Sequence, residues 1–159
     1  MATTIRSATL KVTVKEEIIL NGNRQDSENI KRISNINEIS KRILTITTNE
    51  STIATFSGAV ASAGHYNDSA VRYMRFTNKD DTYFITLTFR NQDNDEVAIK
   101  VDAGQSFILC GDNSNGMSAV FNATEDADAA SDTAFGSLTN IQADAESSTV
   151  DIEMIVASV

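Results

Sequence analysis

The side chains able to do chemistry in this 159-residue chain are few and scattered. His65, the single histidine, stands in SAGHYND with Ser62, Asp68 and Ser69 nearby, the residue types of a serine hydrolase. Such a triad sets its serine on a sharp strand-to-helix turn, and the residues around neither serine spell one. The expectation is therefore a loop histidine beside Tyr66. Cys110, the single cysteine, ends the apolar run SFILC and reads as a small buried hydrophobe rather than a nucleophile. One histidine and one cysteine cannot complete a tetrahedral zinc site alone. The stretch GDNSNG has glycines but no following lysine, so it is not a phosphate-cradling loop.

Two polar loops carry oxygen ligands of the kind calcium takes. NQDND offers Asp93 and Asp95, and CGDNSNG offers Asp112 with Asn113 and Asn115. Neither matches the EF-hand spacing, and turns between strands use the same residues. Two carboxylates flanking a sugar would suffice for glycoside hydrolysis, but the chain has no tryptophan to stack a sugar ring. The sequons at Asn49, Asn67 and Asn122 read as chance, since the start MATTIRSATLKV has no apolar signal core. The resulting expectation is a non-enzymatic protein with no catalytic residue, no cofactor-binding residue and no metal ligand.

Charge separates the chain into two parts. All 13 basic residues fall between Arg6 and Lys100, where 12 acidic residues nearly balance them. Residues 101–159 hold no basic residue and ten acidic ones, so they carry −10 of the net −9, the rest of the chain being +1. No basic stripe is available to displace phosphate counterions, so nucleic acid is not expected as a partner. No apolar run reaches the roughly 20 residues of a membrane-spanning helix, so no membrane is expected either. A chain of this length can bury roughly 70% of its unfolded surface and needs no disulfide to hold a core. The organisation expected is one domain over 1–159, with 1–7 as an N-terminal arm and 111–135 as an acidic loop.

The elements that would position any site are strands. ATLKVTVK alternates Leu10, Val12 and Val14 with Thr9, Lys11, Thr13 and Lys15, and EEIIL leads on to the turn Asn21-Gly22. TYFITLTFR places Tyr83, Ile85, Leu87 and Phe89 on one face. With VRYMRFT before it and NKDD between, RYMRFTNKDDTYFITLTFRN reads as a hairpin. EVAIKV turns through DAGQ into SFILC, and VDIEMIV closes the pattern with Ile152, Met154 and Val156 on one side. NIKRIS, RILTIT, TIATFS and LTNIQADA are weaker candidates. In NINEISKRI, Ile36, Ile39 and Ile43 have helical spacing, against the β preference of branched residues. The acidic, alanine-rich NATEDADAASD reads as a loop. Eight to ten short strands between polar turns predict an all-β fold, an antiparallel sandwich or jelly-roll-like barrel. With no proline in the chain, its sheet edges must be guarded by charge or paired with another chain.

INEISKRILTITTNESTIATFS, RYMRFTNKD, KVDAGQSFIL and the closing DIEMIVAS together resemble the small virion proteins encoded beside capsid genes in tailed bacteriophages of marine and cyanobacterial hosts. The resemblance spans most of the chain and rests on pattern; the acidic stretch 111–135 is its least similar part. It implies a capsid decoration (cement) protein on the outside of the head, made in the host cytoplasm and resident in the virion. Its partners would be the major capsid protein or other virion proteins, with a homo-oligomer, a trimer by preference. The alternatives are a tail or head–tail connector component, or a carbohydrate- or receptor-binding β-module.

Overall fold

A computed structural model describes residues 6–58, 62–111, 116–117 and 138–159. Thirteen strands and no helix are described, three of the strands being only two or three residues long. The all-β expectation is met. The chain divides into two compact units, 1–38 with Val159, and 39–158, where the sequence suggested one domain over 1–159; each is taken by itself below.

The first unit is a long two-stranded ribbon. β1 (Ala8–Glu16) pairs antiparallel with β4 (Ser27–Ile36), and between them β2 (Ile19–Leu20) and β3 (Asn23–Arg24) form a smaller hairpin. Its turn is Asn21-Gly22, with φ of 51° and 80°, both in the left-handed region where Asn and Gly are tolerated best. The period-2 pattern of β1 sets the faces: Leu10, Val12 and Val14 lie on one, Lys11, Thr13 and Lys15 on the other. A bulge near Asn35, whose φ is 63°, brings Ile33 and Ile36 opposite Leu10 and Ala8. The proposed arm at 1–7 falls mostly outside the described residues.

The second unit is two facing sheets. One has the order β11 (Ser106–Cys110), β8 (Val71–Asn78), β13 (Val150–Ser158), β5 (Glu38–Ile46). The other runs β10 (Glu96–Val101), β9 (Ile85–Asn91), β12 (Leu138–Ala145), β6 (Ser51–Ser57), β7 (His65–Asn67), with the last pair parallel. Neither closes on itself, so the fold is a sandwich and not a barrel. Alternation puts Met74, Phe76, Ile152, Met154 and Val156 inward from the first sheet, and Ile85, Leu87, Phe89, Ile141 and Ala143 from the second. Phe76 meets Phe89 edge to face across the core at 6.5 Å between centroids, and Phe107 flanks Phe89 at 5.8 Å.

The structure corrects the strand pairing expected for 72–91. β8 and β9 do not form a hairpin: they lie in different sheets. Residues 79–84 carry the chain from one layer to the other, and DAGQ carries it back between β10 and β11. The true hairpin is β9–β10, closed at Asn91, whose side chain accepts from the amides of Asp93 and Asp95 and donates to Asp95 Oδ2. Alternation and a polar turn are common to a hairpin and to an arch between sheets, so the residues between β8 and β9 do not tell them apart. What decides is Asn78. Its buried amide nitrogen donates to the carbonyls of Tyr83 at 2.9 Å and Val101 at 3.1 Å, one on each crossing segment. Its Oδ1 accepts from Asp80 N, and its backbone N–H from β8 donates to Gln105 O.

The open reading of NINEISKRI resolves to strand: β4 ends at Ile36 and β5 begins at Glu38, as branched side chains prefer. One further expectation changes. Cys110 is exposed, not buried. It shares the outward parity of Ser106 and Ile108 on the edge strand β11, opposite Tyr73, while Leu109 points into the core. The acidic stretch NATEDADAASD and most of 111–135 lie outside the described residues.

Asn78→Ala should unfold the sandwich at lower urea concentration, costing about 1–3 kcal/mol, because the buried Val101 carbonyl and the partly buried Tyr83 carbonyl lose their donor together. A loss below about 1 kcal/mol would show that Asn78 does not join the two crossings.

Candidate functional site

The residues that invited chemistry in the sequence are not brought together. His65 sits on β7, where its neighbour across the parallel pair is Thr55. Ser69 Oγ donates to Asn67 Oδ1, and Asp68 Oδ1 accepts from the Ser69 backbone amide. No hydrogen bond joins the His65 imidazole to Ser62, Ser69 or Asp68, so no triad is assembled. Asp95 is engaged by Asn91, and Asp93 enters that turn through its backbone. Among the described residues no three His, Cys, Asp or Glu side chains converge. Asp112, Asn113 and Asn115 lie outside them.

A cleft of about 410 Å³ opens between β5 and β6, the side on which the two sheets part. Leu44, Ile46 and Ile53 make its apolar wall, and Arg42 and His65 bring polar groups to it. Arg42 lies so close to Gly64 that a Cβ there would meet Nη1 at 2.9 Å. Nothing local marks this contact, because Arg42 lies on β5 and Gly64 just before β7, in a different sheet.

The outer faces of the sandwich differ in character. On the four-stranded sheet, Glu153 accepts from Arg75 and, at 2.8 Å, from Lys41. The Lys41 hydrogen bond holds its carboxyl below the ordinary value, with the charges of both cations adding to it. Arg75 Nε is buried without a hydrogen-bond partner. On the same face Ile39 and Ile43 on β5, and Ile108 on β11, are exposed, beside the polar pairs Thr45–Asp151 and Thr77–Ser106. The five-stranded sheet presents Thr86, Asn140 and Gln142 instead, with Thr88 buried among them. Glu50 lies close enough to Asp144 for its charge to act on it, and neither has an ion pair among the described residues. With its amide nitrogen turned toward Glu50, Gln142 donates to that carboxylate at 3.0 and 3.2 Å.

The ribbon of the first unit holds the other notable surface. Val14, Ile18, Ile19, Leu20 and Ile30 are all exposed, clustered toward the Asn21-Gly22 turn. Lys11 stands directly opposite Arg32, with Lys31 next in the strand. None of these three cations has an ion pair among the described residues, whereas Lys15 pairs with Glu17 and Arg24 with Asp26. Like charges in direct register weaken a two-stranded ribbon, and an apolar tip exposed to water adds nothing to its stability. Both are features of a contact surface. The alternation of β1 gave the first hint, but exposure could be seen only once each strand's partner was known.

Asp144 supplies a test of these charges. Burial, and then the neighbouring Glu50 charge, raise its carboxyl above the ordinary value. Below the ordinary carboxylate pKa both folded and unfolded states are protonated and nothing is lost. As pH rises through the folded pKa the folded state must carry a disfavoured charge, and stability falls. Asp144→Asn should therefore raise the melting temperature at pH 7 and leave it unchanged at pH 3. Equal shifts at both pH values would remove the electrostatic explanation.

No protein-family model matches the chain, and no curated protein or solved structure is significantly similar to it.

Proposed function

We propose that this protein is a structural subunit of a tailed-phage virion, a decoration protein on the outside of the head that works by burying surface against its neighbours. One observation carries the reading. The chain spends an entire unit, the β1–β4 ribbon, on a surface whose apolar tip and unpaired cations find no cover in their own strands. A two-stranded ribbon is marginal in water by itself, so this is the architecture of a subunit completed by assembly. The outward Ile39, Ile43 and Ile108 lie on β5 and β11, strands at the two borders of one sheet, and fit the same role.

The resemblance of RYMRFTNKD, KVDAGQSFIL and DIEMIVAS to small virion proteins gives the setting. In such a setting burial across joints stabilises a shell by binding the assembled state alone. Many copies bound at once allow each contact to be modest. The acidity of residues 101–159 suits the exterior, where it does not compete for packaged DNA.

Quantitative mass spectrometry of purified particles tests the proposal. A decoration protein is expected at hundreds of copies per particle, in fixed ratio to the major capsid protein. A dozen or so copies would move the reading to a tail or connector part, and absence from particles would overturn both.

A further inference from the structure

The exposed apolar residues of the ribbon and those of the sandwich are matched in a way that names a partner. Ile19 is 70% exposed, with Ile18 at 53% and Leu20 at 55%, all at the ribbon tip. Among the described residues of the sandwich unit the two most exposed large apolar residues are Ile43 at 67% and Ile39 at 60%. They are four residues apart on β5, so they lie on the same face. That face belongs to a border strand, paired among the described residues with β13 alone.

Charge is matched as well. Residues 1–38 carry +1 and residues 39–159 carry −10, together the −9 of the chain. The ribbon's Lys11, Lys31 and Arg32 have no acidic partner among the described residues, and the facing of Lys11 on Arg32 opposes ribbon formation unless an anionic surface approaches. A second copy of this chain offers both things the ribbon lacks: a pair of exposed isoleucines on one strand face and a strongly acidic body. Complementary charge of this kind steers association and fixes orientation.

We propose that the β1–β4 ribbon is an intersubunit clasp, its Ile18–Leu20 tip seated on the Ile39/Ile43 face of a second copy. This names a partner for the shell subunit proposed above and rests on that reading for its setting. The connection makes the exchange simple. Only Asn37 separates β4 from β5, so each copy gives a ribbon from the root of the strand that receives one. An interface of that kind closes into a ring or a pair when the rotation between copies allows.

The test uses the full chain in two ways. Sedimentation should show a concentration-dependent homo-oligomer that weakens as salt is raised. Ile19→Asp with Leu20→Asp at the tip, or Ile43→Asp alone on the sandwich, should each raise the dissociation constant by about 30-fold or more, as for central contacts of an interface. Circular dichroism of the variants should keep the strand signal. For the second measurement, Cys110→Ser removes the native thiol, one population then carries Leu20→Cys and another Ile43→Cys. A short bis-maleimide should join one chain of each kind in the mixture and lose that product in denaturant. A monomeric wild-type chain, an oligomer untouched by these substitutions, or the absence of mixed cross-links would overturn the clasp.

Particle incorporation separates the two proposals. A monomeric chain that enters particles, and whose tip variant does not, means that the ribbon docks on a different virion protein. That overturns the second-copy clasp and leaves the shell subunit standing. An oligomer that responds to the tip variants but is missing from particles supports the clasp and overturns the shell subunit.

Discussion

The sandwich depends on where one asparagine sends its hydrogens. Chain leaving β8 and chain leaving β10 must both cross between layers, and their backbone carbonyls at Tyr83 and Val101 meet the same buried Asn78 amide. A buried carbonyl without a donor costs roughly as much as a lost hydrogen bond, so the two crossings are stable only when made together. With them in place, β8 must pair with β11 and β9 with β10, and the chain from 71 to 110 becomes two stacked layers. Phe76 and Phe107 then come from one layer and Phe89 from the other, which is what fills the space between. Asp80 adds local order to the first crossing. Its carboxylate accepts from the amides of Thr82 and Tyr83, and those backbone hydrogen bonds hold its pKa below the ordinary value.

This arrangement leaves borders. Among the described residues each sheet of the sandwich ends in strands paired on one side only, and no proline interrupts them. Charge guards some of this: Arg90 and Glu96 pair across β9 and β10, and Lys100 pairs with Asp102 while lying over the Phe84 ring. β5 is guarded less well, because its outward Ile39 and Ile43 flank a single lysine that is already held by Glu153. The ribbon has the same character, apolar at the tip and cationic along the stem. Surfaces that are costly alone are what an assembly subunit would cover, and they link the fold to the proposed function.

Much of this was legible in the residues, and the rest was not for definite reasons. Period-2 alternation located β1, β9, β10 and β13, because a half-buried strand writes its burial into every second residue. Asn21-Gly22 located its turn because few other pairs tolerate two left-handed residues in succession. Pairing partners were not legible. Alternation says which face of a strand is buried but not which strand lies beside it, so NKDD was taken for a hairpin turn when it spans two sheets. Cys110 was misjudged for the same reason, since its exposure follows from the register of β11 against β8. The cleft at Arg42 and His65 and the Glu153 cluster join residues far apart in the chain, and nothing local marks them. His65, Ser69, Asp68, Asp93 and Asp95 were weighed for chemistry and stand in turns and strand ends that use them for local hydrogen bonds.

In the proposed assembly the ribbon is completed by a neighbour while the sandwich is stable alone. Residue-resolved hydrogen exchange tests it most directly, comparing dilute protein with the assembled state. The account predicts strong protection of β8, β9, β12 and β13 in both, and fast exchange of the paired amides in 10–16 and 27–33 when dilute, slowing on assembly. Ribbon amides as protected in dilute solution as those flanking Phe76 and Phe89 would contradict it, because the ribbon would then need no partner to be stable.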